Sequence, residues 1–152
     1  YMYNELKNIK VPTTIMTNSA ENNGNIFGAV DYLSHKKDII DTGVTIKEYE
    51  GGISYHGKSM TIDDDIAIVG SFNMDMRSAY IDTELMLVIN SKDINKQLKA
   101  SMEEYEKKAA TVKNETEYSH IPEGMKMKEL SDKKKNIKAW FGWAMNGLRF
   151  LF

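Results

Sequence analysis

Hydrophobic and polar positions along this chain alternate between a helical period and a strand period. Met2, Leu6 and Ile9 recur at near-helical spacing and predict the end of a helix. The run from Lys10 to Thr17 is rich in β-branched residues, with Pro12 near its start, and reads as a strand broken by Asn18-Ser19. The polar segment Glu21 to Asn25 leads into a helix carrying Ile26, Phe27, Val30, Leu33 and Ile40, which Gly43 terminates. Val44 to Glu50 returns to a strand pattern, and Gly51-Gly52 marks a turn. Ile53–Ile62 and Ile66–Gly70 predict a hairpin, because Asp63, Asp64 and Asp65 lie between them. Thr83 to Asn90 is apolar on both faces apart from Glu84, as in a strand covered by helices on both sides. Ser91 caps a further helix, extending to about residue 110, with Ile94, Leu98, Met102 and Tyr105 on one face. Asn114 to Gly124 reads as a loop. Strands alternating with helices predict the α/β class, with a mixed β-sheet flanked by helices.

The tail has its own pattern. Ile137, Trp140, Phe141, Ala144, Met145, Leu148, Leu151 and Phe152 follow amphipathic helical spacing, preceded by Lys133, Lys134 and Lys135. A helix over 137–152 is about 24 Å long, short of the roughly 30 Å hydrocarbon core of a bilayer. It is suited either to lying in the interface of an anionic membrane or to packing on another domain. The expected division is therefore a domain over 1–124 and a basic amphipathic C-terminal helix over 125–152.

Composition sharpens this picture. An apolar fraction of 41% and only 2 prolines in 152 residues exclude a disordered or collagen-like chain. With no cysteine, disulfides, zinc–thiolate centres, iron–sulfur clusters and thiol nucleophiles are excluded. The net charge of −2 conceals an asymmetry: residues 1–124 carry 13 basic and 20 acidic side chains, and residues 125–152 carry 7 and 2. An acidic body disfavours a nucleic-acid partner, whose phosphates need Lys and Arg, whereas a basic tail can address an anionic surface. The opening at Tyr1 leads to the expectation of a fragment of a longer chain.

Chemistry is concentrated between His56 and Glu84. His56 and Lys58, two apart on a predicted strand, project to one face, with Gly57 turned away. Ser71 and Asn73 repeat that spacing at the end of the neighbouring strand, and Glu84 is an isolated carboxylate in an apolar run. Together they read as an anion-processing site. Lys58 supplies positive charge, Ser71 and Asn73 supply donors, His56 can attack or shuttle a proton, and Glu84 can orient the imidazole. No metal-ligand cluster is apparent and no cofactor is expected. His35 reads as a residue of a solvated helix face and His120 as a loop residue, whereas Asn18 and Ser19 occupy a strand end of the kind where α/β proteins place ligands.

The series His56-x-Lys58, Asp63, Gly70-Ser71-x-Asn73 resembles the HKD motif of the phospholipase D superfamily, with Glu84 where that superfamily keeps an acidic partner. The stretches Met16 to Ala20, Asp41 to Tyr49 and Gly70 to Glu84 look like the C-terminal half of bacterial cardiolipin synthases. This resemblance implies a phosphatidyltransferase working through a phosphohistidine, with two HKD motifs meeting at one site. His56 would belong to the second motif and act as acid and base. Lys58, Ser71 and Asn73 would hold phosphoryl oxygens, Glu84 would support a histidine, and Asp63 would be structural. A single motif is present, so the expected partners are a phospholipid, an anionic membrane surface, and either an N-terminal HKD half or a second copy of the chain. Without such a partner the chain is expected to be inactive, and the first strands of the domain are expected to be missing. The implied location is the cytoplasmic face of a bacterial membrane. The alternatives are a phospholipase D or nuclease using water, and a non-catalytic assembly or docking fragment.

Overall fold

The computed structural model describes the backbone of residues 2–144 and the side chains of residues 4–140. The chain divides into two units, residues 2–55 with 106–144, and residues 56–105.

The first unit begins with helix α1 (Met2–Asn8) and is built on a sheet ordered β1 (Thr14–Asn18), β2 (Thr45–Tyr49), β6 (Ala109–Val112), β7 (Tyr118–His120). β1 and β2 are parallel, in register from Thr14 opposite Thr45 to Asn18 opposite Tyr49. Such a pair needs a long crossover, and helix α2 (Ile26–Ile40) provides it. Asn25 starts that helix by accepting the amides of Phe27 and Gly28, and Gly43, at φ +87°, turns the chain back toward β2. β2, β6 and β7 are antiparallel. The core is small-sided: Ala29, Val30, Ile39, Ile46, Ala109 and Ala110 are buried.

This core also contains an ionic network. Lys36 and Glu48 are 4% and 3% exposed, and Lys36 Nζ is 2.8 Å from Glu48 Oε1. Tyr32 donates to the same oxygen at 2.6 Å, Tyr118 donates to the other, and the Lys36 ammonium lies 5.5 Å from the Tyr118 ring centroid. Burial and the Glu48 charge push both phenols far above their ordinary range, so they remain donors. Helix α5 (Asp132–Ala144) packs against α2. Lys134 anchors its first turn by donating to the carbonyls of Ala20, Glu21 and Asn23 at 2.8, 2.6 and 3.0 Å.

The second unit is a three-stranded antiparallel sheet, β3 (Ser59–Ile62), β4 (Ile66–Gly70), β5 (Met86–Asn90), with helices α3 (Met76–Tyr80) and α4 (Lys92–Glu106). Asp63 takes φ +47° in the β3–β4 turn, which Lys99 of α4 grips at the Asp63 carbonyl and the Asp64 carboxylate. Asn95, 1% exposed, ties α4 to the sheet through the Ile66 carbonyl at 2.6 Å.

The α/β class with helices and a mixed sheet matches expectation, and the Asp63 hairpin is present. Several local expectations are corrected. β3 starts only at Ser59, so His56 and Lys58 precede the strand. α4 stops at Glu106, and the following Ala-rich stretch is β6, whose two buried alanines fit a tightly packed strand. Tyr118 to His120 is β7 instead of loop, because Tyr118 reaches Glu48. β5 is not covered on both faces: Leu87 and Val88 are 58% and 62% exposed. His35 lies against Asp31, its side chain 14% exposed, instead of on a solvated face. The tail helix begins at Asp132, so 125–131 are not helical, and the apolar stripe beyond Trp140 lies outside the described side chains. Among the described residues no helix is long and apolar enough to cross a membrane.

Candidate functional site

One end of the three-stranded sheet collects the reactive side chains. The β3–β4 ladder runs one step beyond β3, where the Gly70 amide donates to the Lys58 carbonyl at 3.0 Å. Lys58 is thereby set opposite Gly70, although its own segment is irregular. On the other side of Gly70 is the entrance to β5. A Cβ on Gly70 would lie 2.1 Å from the Leu85 carbonyl oxygen and 2.4 Å from Met86 Sδ, so only glycine permits this approach. The close approach brings Ser71 against Glu84 and Leu85. The Ser71 amide donates to the Leu85 carbonyl at 3.0 Å, and the Leu85 amide donates to Ser71 Oγ at 3.1 Å. The Ser71 hydroxyl itself donates to Glu84 Oε2.

Lys58 Nζ is 2.8 Å from Nε2 and 3.0 Å from Nδ1 of His56, and it also donates to the His56 carbonyl at 3.1 Å. Burial lowers the pKa of this ammonium, and the charges of Glu84 and Asp75 oppose that shift. Hydrogen bonds from the Ser71 and Ser78 hydroxyls hold the Glu84 carboxyl below the usual range, with Lys58 adding to them. His56 and Ser71 are exposed, while Lys58, Asn73 and Glu84 are half-buried. The end of the sheet therefore presents an imidazole, an ammonium and a hydroxyl toward solvent, backed by a carboxylate kept ionised. That set can bind an anion and move one proton without a metal. Among the described residues no group of three or more His, Asp or Glu side chains could hold a metal ion.

Lys58, Ser71 and Glu84 thus come together around Gly70, with His56 against Lys58. Glu84 accepts from Ser71, and the His56 ring lies against Lys58. Asn73 lies on the segment leaving β4 toward α3. Asp63 is at the turn.

Sequence reading missed Asp75 and Ser78. Asp75 caps α3 by accepting the Ser78 amide at 2.7 Å, and it adds negative charge near Lys58. Ser78 is buried, and with Ser71 it helps hold the Glu84 carboxyl below the usual range. The signal in the sequence is Asp75 itself, a residue type that caps helix N-termini by accepting a main-chain amide. Asn18 and Ser19, read as a ligand-type strand end, are 9% and 4% exposed and bond to the chain itself.

The family described as cardiolipin synthase, phospholipase D-like domain, matches residues 3–105. Cardiolipin synthase 1 of Staphylococcus epidermidis (strain ATCC 12228) is 36% identical over 97 residues, covering 64% of this chain and 19% of that protein. Cardiolipin synthase A of Wigglesworthia glossinidia brevipalpis is 35% identical over 68 residues, covering 45% of this chain and 14% of the relative. The chain thus spans less than a fifth of the length of these relatives. In fold it is similar to the crystal structure of phosphatidylserine synthase from Haemophilus influenzae Rd KW20, with a TM-score of 0.65 at 13% identity, over 93% of this chain and 36% of that one. This chain belongs to the phospholipase D-like domain family of the cardiolipin synthases.

Proposed function

We propose that this chain supplies one histidine-bearing half of a phosphatidyltransferase site of the cardiolipin-synthase type. The observation that carries the reading is the gathering of Lys58, Ser71 and Glu84 around Gly70, with the His56 ring on Lys58. In this reading a histidine of a second half attacks the phosphorus of a phospholipid, and the bond to the leaving alcohol breaks. His56, protonated, gives its proton to the departing oxygen. The neutral imidazole then takes the proton of an incoming lipid hydroxyl, whose oxygen bonds to the phosphorus as the bond to the attacking histidine breaks. Lys58 and Asn73 offset charge on the phosphoryl oxygens, and Ser71, whose hydroxyl donates to Glu84, holds that carboxylate beside them. The second half is a further HKD-bearing segment or a second copy, and the exposed sheet residues Met60, Ile62 and Val88 give it an apolar surface to cover. The basic tail, with Trp140 77% exposed, is the segment that meets an anionic membrane.

The test is incubation of the chain with phosphatidylglycerol vesicles, alone and with a complementary HKD half, with products identified by mass spectrometry. Cardiolipin formed by the pair and lost in His56→Ala supports the reading. Phosphatidic acid as the sole product replaces transfer with hydrolysis. Turnover retained by His56→Ala assigns the chain to assembly alone.

A further inference from the structure

The segment that delivers the chain to His56 is held by a buried polar brace at the ends of β1 and β2. Tyr55, the residue before His56, lies in no regular strand. Yet Asn18 Oδ1 accepts the Tyr55 amide at 2.8 Å, and Asn18 Nδ2 donates to the Tyr55 carbonyl at 2.7 Å. One side-chain amide thus treats Tyr55 as a neighbouring strand treats a paired residue, satisfying both main-chain groups.

Asn18 is itself fixed from beneath. Asn22 Nδ2 donates to Asn18 Oδ1 at 3.1 Å and to the Ile53 carbonyl at 3.2 Å. Ser19 Oγ accepts the Asn22 amide at 3.0 Å and donates to Glu50, whose other oxygen is 3.3 Å from Lys128 Nζ. Asn18, Ser19, Asn22 and Glu50 are all at least nine-tenths buried. The loop is further pressed onto β2. A Cβ on Gly51 would fall 1.8 Å from Tyr49 Oη, and the Tyr49 and Tyr55 rings meet edge to face at 6.3 Å.

A buried polar cluster carries a desolvation cost that its hydrogen bonds must offset, and here Asn22 Oδ1 and Glu50 Oε1 are left without one. None of its side-chain hydrogen bonds extends a sheet, and three of them end on the main chain of Ile53 and Tyr55. We propose that Asn18 is a positioning residue that clamps Tyr55 and so fixes the backbone from which His56 departs. This rests on the phosphatidyltransferase reading only for its catalytic consequence.

The experiment is residue-resolved amide hydrogen exchange on the whole chain, followed by transfer kinetics. In the unaltered chain the Tyr55 amide should be protected like those of β2, although its segment is irregular. Exchange at an open-loop rate overturns the clamp without any variant. In Asn18→Ala the Tyr55 and His56 amides should exchange about tenfold faster, as loss of paired hydrogen bonds requires, with the β1–β2 amides unchanged. Equal acceleration throughout the first unit reduces Asn18 to a general structural residue and overturns the proposal. Asn18→Asp keeps the acceptor for the Tyr55 amide but loses the donor to its carbonyl, and should give a smaller acceleration than Asn18→Ala. With a complementary half, Asn18→Ala should lower kcat about tenfold with KM nearly unchanged, and a KM effect alone counts against positioning. If the unaltered pair makes no product, the transferase reading fails, while the exchange result still decides the clamp.

Discussion

The two units of this chain manage polarity in opposite ways. The first buries polar and charged groups, Lys36, Glu48, Glu50, Asn18, Ser19 and Asn22, and bonds most of their polar atoms internally, leaving Asn22 Oδ1 and Glu50 Oε1 without a hydrogen bond among the described residues. The second buries little. Among the described residues only Ala67, Ser78 and Asn95 of 56–105 are buried, while Met60, Ile62, Leu85, Leu87 and Val88 are exposed. The unit carrying the reactive side chains therefore has open apolar surface where the other has a closed network. A scaffold that holds backbone in place benefits from directional bonds, which specify one geometry. A unit that completes a shared site leaves surface to be covered by a partner.

The largest effect should come from the closed network. Glu48→Ala strands the Lys36 ammonium, and removing one member of a buried ion pair costs about 3–5 kcal/mol. Urea unfolding of this variant should show that loss. The paired replacement Lys36→Met with Glu48→Leu should lose far less, because no charge remains buried alone. If Glu48→Ala loses under about 1 kcal/mol, the network is solvated and the contrast between the units disappears.

In the second unit the nearest equivalent is a single bond. Asn95→Ala leaves the Ile66 carbonyl without its α4 donor, at a cost of about 1–3 kcal/mol. The same unfolding measurement reads it. A loss as large as that of Glu48→Ala would mean that this unit also depends on a buried polar core. Smaller again are the exposed sheet residues. Met60→Thr and Val88→Thr should each alter the stability of the chain alone by no more than about 0.5 kcal/mol. They should nevertheless weaken assembly with a complementary half, measured by sedimentation. A large loss in the chain alone would show that this face is already covered.

How much of this was legible in the sequence follows the same contrast. Elements set by local rules were read well. The Asn25 cap and Gly43 bound α2, and the Asp63 turn and the strand Ile66–Gly70 follow from turn chemistry and β-branched runs. Spacing and resemblance together brought out His56, Lys58, Ser71 and Glu84, because reactive side chains at fixed offsets stand out against an apolar strand. What depended on tertiary contact was not legible. Ala109–Val112 has no strand signature of its own and is β-structured because two alanines fit against β2. The burial of Lys36 on Glu48 has no local signature, because the two residues lie on different elements. His56 and Lys58 were placed on a strand because alternation cannot show where a ladder begins, and here it begins with the Lys58 carbonyl. Asn18 looked like a ligand residue because a buried bond to a main chain 37 positions away leaves no local pattern.

The smallest effect concerns the joint, within the first unit, between the start of α5 and the loop after β1. Glu21 accepts the Ser131 amide at 3.0 Å, and that bond, with the Lys134 and Lys128 charges adding to it, holds the Glu21 carboxyl below its ordinary value. A carboxyl depressed in the folded state contributes stability that is complete above its unfolded value, near about 4.3, and is lost as pH falls through the lower folded value. The Ser131 amide resonance should therefore titrate with a midpoint below that of an unperturbed glutamate, and Glu21→Gln should abolish the titration. The joint should loosen only partly in acid, since Lys134 also holds three main-chain carbonyls that do not titrate. Complete release of α5 over that interval would show that the carboxylate, and not the lysine, carries the joint. A midpoint at or above the ordinary value would mean that Ser131 does not rest on Glu21 in solution.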